Sequence, residues 1–109
     1  MAKQYETVDI STGKVKIRRL TRGDMRTWRK SHNDDDGKVN DEKLEYSDDV
    51  LIALSLMNGN GTLKHTVSEA MDGCFDDMTH EDGRILISRI IDLNRIGEDV
   101  KSLKVAAKN

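Results

Sequence analysis

The sequence predicts a mostly helical α+β domain in which an N-terminal two-stranded β-hairpin packs on three to four α-helices. Period-two alternation of apolar residues is confined to the first twenty positions, where Val8 and Ile10 are followed across a polar turn by Val15 and Ile17. Later apolar residues recur at spacings of three and four, the helical signature. With 109 residues the chain holds one core, and Leu, Ile, Val and Phe together make up about 23% of it, so that core is small.

Strands are expected at about 6–10 and 14–19, joined through Ser11-Thr12-Gly13, with Gly13 where a short hairpin loop needs a left-handed residue. Isolated hairpins are marginal in water, so this one must lie on helices. Thr21 followed three residues later by Asp24 gives a capping-box start for a helix over 22–32, with Met25, Trp28 and His32 on one face. From 33 to 43 the chain is polar, carries Asp34-Asp35-Asp36-Gly37, and reads as a mobile, solvated acidic loop.

A second helix is expected from Ser47 to Met57. Val50, Leu51, Leu54 and Met57 lie on one side and Ile52, Ala53 and Leu56 on the other, so it is either central or covered by a partner. Asn58-Gly59-Asn60-Gly61 ends it. Thr66 and Glu69 form a second capping box, opening a short stripe of Val67, Ala70, Met71 and Cys74 that places Cys74 in the core. Thr79 and Asp82 start the last helix. Its Leu86, Ile87, Ile90, Ile91 and Leu93 are expected to be mostly buried at the centre of the core, and Gly97 stands where a left-handed cap would end it. The globular domain is thus expected to occupy 1–97, with 98–109 a flexible tail.

The net charge is only −2, but it is sorted into blocks. Lys14 to Lys30 carries eight basic residues against Asp24 alone, a balance of +7. Asn33 to Asp49 carries eight acids against Lys38 and Lys43, a balance of −6, and Glu69 to Asp82 adds six acids with no Lys or Arg. Such blocks pair across a fold or between copies, or face partners. The basic block supports an alternative reading as a small nucleic-acid-binding regulatory protein using segment 14–30. The two acidic blocks, the negative net charge and a total of four aromatic residues make nucleic acid the less favoured partner.

Enzymatic chemistry finds no footing. Asp34, Asp36 and Gly37 match positions three, five and six of an EF-hand loop, but His32 would stand at position one and Lys43 at position twelve, where the bidentate carboxylate is required. His32, His65 and His80 fall in no metal-ligand spacing, and no phosphate-binding glycine loop leads into a helix. No catalytic residue, metal site or cofactor is expected. The longest uninterrupted apolar stretch, Val50 to Leu54, is far short of the roughly 20 residues that span a bilayer. Neither a membrane association nor a secretory signal is expected, and a single cysteine fits a reducing compartment.

The basic strand Lys14 to Arg19 running into Leu20-Thr21-Arg22 is followed by an acidic insertion and by an apolar helix leading into a Gly/Asn turn. A last helix finishing Ile91-Asp92-Leu93-Asn94 before Gly97 and the closing Lys108-Asn109 complete an order of elements. This order resembles the tail assembly chaperones of long-tailed bacteriophages, in their short form. The resemblance implies a non-enzymatic protein that binds the tape measure protein, promotes assembly of the tail tube around it in the host cytoplasm, and is absent from the finished virion. Tape measure protein and tail tube protein are the partners it implies, and the charge blocks add an expected homo-oligomer. A chaperone for long amphipathic helices needs an apolar groove with charged rims. The candidate partner-binding residues are accordingly Arg18, Arg19, Arg22, Arg26, Trp28 and Arg29 of the basic segment with Leu51, Leu54 and Met57 of the second helix.

Overall fold

The computed structural model describes residues 5–94. The expected tail, with Gly97 and the sparse apolar points Val100, Leu103 and Val105, lies outside the described residues. Strands β1 (Tyr5–Ile10) and β2 (Gly13–Arg18) form the hairpin, pairing Ile10 with Gly13 and Tyr5 with Arg18. The connection is therefore two residues, Ser11 and Thr12, and Gly13 takes φ +129°, a region that side-chain-bearing residues avoid. Alternation works as expected: Val8 and Ile17 are buried, while Tyr5, Thr7, Asp9, Lys14 and Lys16 face outward. On that outer face the Lys16 ammonium sits 4.6 Å from the centre of the Tyr5 ring.

Helix α1 (Arg22–Ser31) starts at the expected capping box, with Thr21 Oγ1 accepting from Asp24 N at 3.1 Å and Thr21 N donating to Asp24 Oδ2 at 2.8 Å. The acidic segment that follows is solvent-exposed and locally structured. Asn33 bridges Val39, Asp34 N donates to Lys38 O at 2.7 Å, and Asn40 caps the four-residue helix α2 (Asp41–Leu44).

Helix α3 (Ser47–Ser55) is the centre of the molecule, packed against α1 and against the two later helices, α4 (Val67–Met71) and α5 (His80–Asn94). That place was expected for the last helix. The reason for the exchange is composition: Val50 to Met57 are all buried, whereas α5 buries only Leu86, Ile90 and Asp82 and leaves Ile87, Ile91 and Leu93 half-covered at the edge of the core. A helix apolar on every side has to be surrounded, while one with a single stripe can only flank. α3 also ends two residues before Met57. Leu56 and Met57 become a third strand, β3, antiparallel to β2 in the order β1-β2-β3 with Ile17 opposite Leu56. Buried Ser55 fixes the switch by donating its hydroxyl to Arg18 O at 2.8 Å.

Helix α4 opens on its capping box, Thr66 with Glu69. It stops at Met71 because Gly73, at φ +91°, turns the chain. The turn corrects the expectation for Cys74. Removed from the helical stripe, Cys74 is exposed and Phe75 enters the core in its place, its ring edge-on to His65 at 5.0 Å.

Helix α5 lies along the hairpin and is tied to it at both ends. In its first turn Asp82, 3% exposed, accepts from Ser11 N at 2.9 Å and from the Ser11 hydroxyl. In its last turn Asn94 Oδ1 accepts from Leu20 N at 2.6 Å while its Nδ2 donates to Ile90 O at 2.9 Å. Between them Arg89 pairs with Glu6 of β1. The Ser11 hydroxyl, then the Ser11 N–H, hold the Asp82 carboxyl below its ordinary pKa.

Two outcomes follow. Ile90 is fully buried, so Ile90→Asp, which buries an unpaired carboxylate, abolishes the cooperative thermal transition, while Ile90→Val costs about 0.5–1.5 kcal/mol. A folded, monodisperse Ile90→Asp protein would contradict this packing. Because the folded-state pKa of Asp82 is depressed, its contribution is complete above the unfolded value of about 4 and is lost as pH falls through the lower folded value. Asp82→Asn therefore melts below the parent protein at neutral pH, and the gap in Tm narrows as scans move below about pH 4.

Candidate partner-binding surface

The basic block contains one acid, Asp24, and the fold uses it up. Besides capping α1, Asp24 accepts from Arg18 Nη1 at 3.0 Å. Burial pushes its pKa up, but the Thr21 N–H, the Arg18 guanidinium and the Thr21 hydroxyl outweigh that and hold the carboxyl below its ordinary value. The other ion pairs among the described residues are Lys43 with Asp34, Arg84 with Glu81, and Arg89 with Glu6. None joins the basic block to either acidic block, so the sequence blocks do not neutralise one another across the chain.

Arg19, Arg22, Arg26 and Arg29 surround a cleft of about 560 Å³ between α1, the β2–α1 connection and the end of α5. Its floor is formed by the half-buried Leu20, Met25 and Trp28, with Asn94 closing one end. The indole is held in place by its Nε1–H, which donates to Ser47 O at 3.0 Å, and by the edge of His32, ring centres 5.7 Å apart. On α1, residues 22, 26 and 29 fall within one 60° sector by the 100° turn per residue, and Met25 and Trp28 flank them on one side.

The structure therefore brings together five of the nine candidate residues, Arg19, Arg22, Arg26, Trp28 and Arg29. Arg18 stands apart, paired with Asp24. Leu51, Leu54 and Met57 are 3%, 6% and 8% exposed and lie inside the core, so in this conformation they offer no surface to a partner. Encirclement by α1, α4, α5 and the sheet is the reason. Sequence reasoning left Leu20, Thr21, Met25 and Asn94 out of the site. Asn94 carried a legible signal, a polar residue in the apolar stripe of the last helix, which marks a buried hydrogen-bonding need.

A second cleft, about 270 Å³, opens between α3, the Phe75–Thr79 segment and α5. Ile52, Phe75, Met78 and Ile87 provide apolar lining, and the charged lining is Asp48 and Asp49 with Arg84, which pairs with Glu81. The pKa of Asp49 is raised by partial burial and by the neighbouring Asp76 and Asp48 carboxylates. The Cys74 thiol is likewise pushed up, by desolvation and by Glu69, Asp49 and Asp76, which disfavours the nucleophilic thiolate. No group of three or more His, Cys, Asp or Glu side chains able to hold a metal ion occurs among the described residues. No helix among them is long and apolar enough to cross a membrane.

No protein-family model matches the chain, and no curated protein matches it either. Among solved structures it is similar to the tail assembly chaperone of bacteriophage HK97, at 19% identity and a TM-score of 0.59, over 82% of this chain and 83% of that one. The fold expected from the sequence is thus shared with a phage tail assembly chaperone.

The arginine row depends on the first turn of α1. Thr21→Ala removes the cap and costs about 1 kcal/mol, read as a lower urea midpoint with unchanged slope.

Proposed function

We propose that this protein is a bacteriophage tail assembly chaperone that binds the tape measure protein and promotes tail tube assembly in the host cytoplasm without remaining in the virion. The observation that carries the reading is the fold shared with the HK97 tail assembly chaperone across most of both chains. The two clefts support it physically. Each combines apolar lining with charged side chains, four arginines in one and Asp48 and Asp49 beside Arg84 in the other, which is the form that recognition of an amphipathic helix requires. The groove expected from the second helix and the stripe of the last helix would instead be lined by Leu20, Met25 and Trp28 in one cleft and by Ile52, Phe75, Met78 and Ile87 in the other. Self-association belongs to the proposal, because a partner made of long helices is covered only by several copies of so small a domain.

The cluster of arginines also keeps the nucleic-acid reading as the alternative. Phosphate binding by Arg19, Arg22, Arg26 and Arg29 would be steeply salt-dependent, whereas a cleft with an apolar floor retains part of its affinity as salt rises.

The test is co-expression with the tape measure protein encoded by the same phage. Its soluble fraction rises with the chaperone present, and the two co-purify. An equally soluble tape measure protein with and without this chain defeats the proposal. So does micromolar binding to duplex DNA near about 150 mM salt that is lost on changing Arg19, Arg22, Arg26 and Arg29 to Ala.

A further inference from the structure

We propose that the cleft between α1, the β2–α1 connection and the end of α5 is a docking site for an acidic amphipathic helix of a partner protein. Its carboxylates meet Arg22, Arg26 and Arg29 while its apolar stripe covers Trp28, Met25 and Leu20.

Charge complementarity sets the sign of the occupant. Four arginines line one concavity, and no acidic side chain among the described residues lines it. The nearest acid in sequence, Asp24, is committed to Arg18 and to the cap. Cations gathered this way repel one another, and an anionic occupant relieves that repulsion.

Geometry sets the form of the occupant. Arginines at i, i+4 and i+7 span about 10 Å of helix, which is the spacing of carboxylates at i, i+4 and i+7 on a second helix lying alongside. The adjacent apolar floor favours a helix over a nucleic-acid backbone, because phosphates leave Leu20 and Met25 uncovered, while a Leu or Met stripe buries them. Chain-wide charge argues the same way. With a net charge of −2 and two acidic blocks elsewhere, the long-range field opposes a polyanion such as DNA far more than a short peptide presented locally.

The chain's own acidic segment fits less well. Asp34 Oδ1 already accepts from Asn40 Nδ2 at 2.7 Å and faces Lys43, and Asp36 accepts from Lys38 N at 3.1 Å. The segment is a turn followed by the four-residue α2, too short to present carboxylates at i, i+4 and i+7.

Trp28 is the only tryptophan in the chain and lines the cleft, so its emission reports occupancy directly. The probe is a synthetic helical peptide of about 18 residues, five turns, with a Leu stripe flanked by Glu at i, i+4 and i+7. Its control carries Gln at the three Glu positions. In the full-length protein near about 150 mM salt, the Glu peptide shifts Trp28 emission saturably and the Gln peptide binds roughly tenfold or more weakly. Arg26→Glu/Arg29→Glu, at exposed positions, keeps the parent Tm and loses roughly tenfold or more in affinity for the Glu peptide while narrowing the gap to the Gln peptide.

Equal binding of the two peptides overturns the proposal, as does a duplex DNA that binds more tightly than the Glu peptide through the same arginines. A change of oligomeric state in the double variant with peptide binding intact assigns the cleft to self-docking and also overturns it. The peptide is not a tape measure sequence, so this result and the co-expression result fail independently.

Discussion

Burial of Val50 to Met57 on every side is the constraint around which this molecule is arranged. The chain is poor in large apolar residues, and eight consecutive positions of the α3–β3 segment are all buried. Each fully covered Leu, Ile or Val contributes about 1.5–3 kcal/mol, so a chain with so few of them gains most by surrounding the one segment where they are dense. α1, α4, α5 and the hairpin each bring a narrow apolar stripe to that segment and leave their polar faces outside. None of them has enough apolar surface to build a core with the others alone.

A core this thin relies on polar groups to fix the angle at which its elements meet. Ser55, Asp82 and Asn94 do so at three separate junctions: the last turn of α3 to the end of β2, the hairpin loop to the start of α5, and the β2–α1 connection to the end of α5. In each, a side chain satisfies a backbone group at the end of a strand or in a turn that would otherwise be left without a partner. Apolar contacts are non-directional and would permit α5 to slide along the sheet. Hydrogen bonds at both ends of the helix allow one position.

The same arrangement explains why the charges remain sorted on the surface. Arg18 and Asp24 are neighbours through the cap of α1, and Asp34 and Lys43 through the acidic turn, so the pairs that form are local. The remaining arginines of α1 line a cleft to which the described residues contribute no carboxylate, and Asp48 and Asp49 rim another cleft near the opposite end of α5. A chain of nearly neutral total charge therefore presents one cleft lined by four arginines and another where Asp48 and Asp49 stand with Arg84. That pattern serves directional contacts with helices better than it serves general attraction to a polyanion.

The sequence by itself determined what depends on neighbours along the chain: the hairpin and its inward Val8 and Ile17, the capping boxes at Thr21 and Thr66, the start of the last helix at Thr79, and the Asn-Gly turn after Met57. These features are short-range, set by side chain to backbone bonds three residues apart or by a period of two, and a single segment contains all the information. Four of the nine candidate residues lie on α1, where spacing alone brings arginines 22, 26 and 29 together and sets Trp28 beside them. Tertiary structure alone decided which helix occupies the centre, that Leu56 and Met57 leave the helix to pair with β2, that Cys74 turns outward behind Gly73, and that Leu51, Leu54 and Met57 face the core. Each of these is a competition between distant segments for the same apolar surface or the same free strand edge, and helical periodicity reports which residues share a face without reporting what covers it.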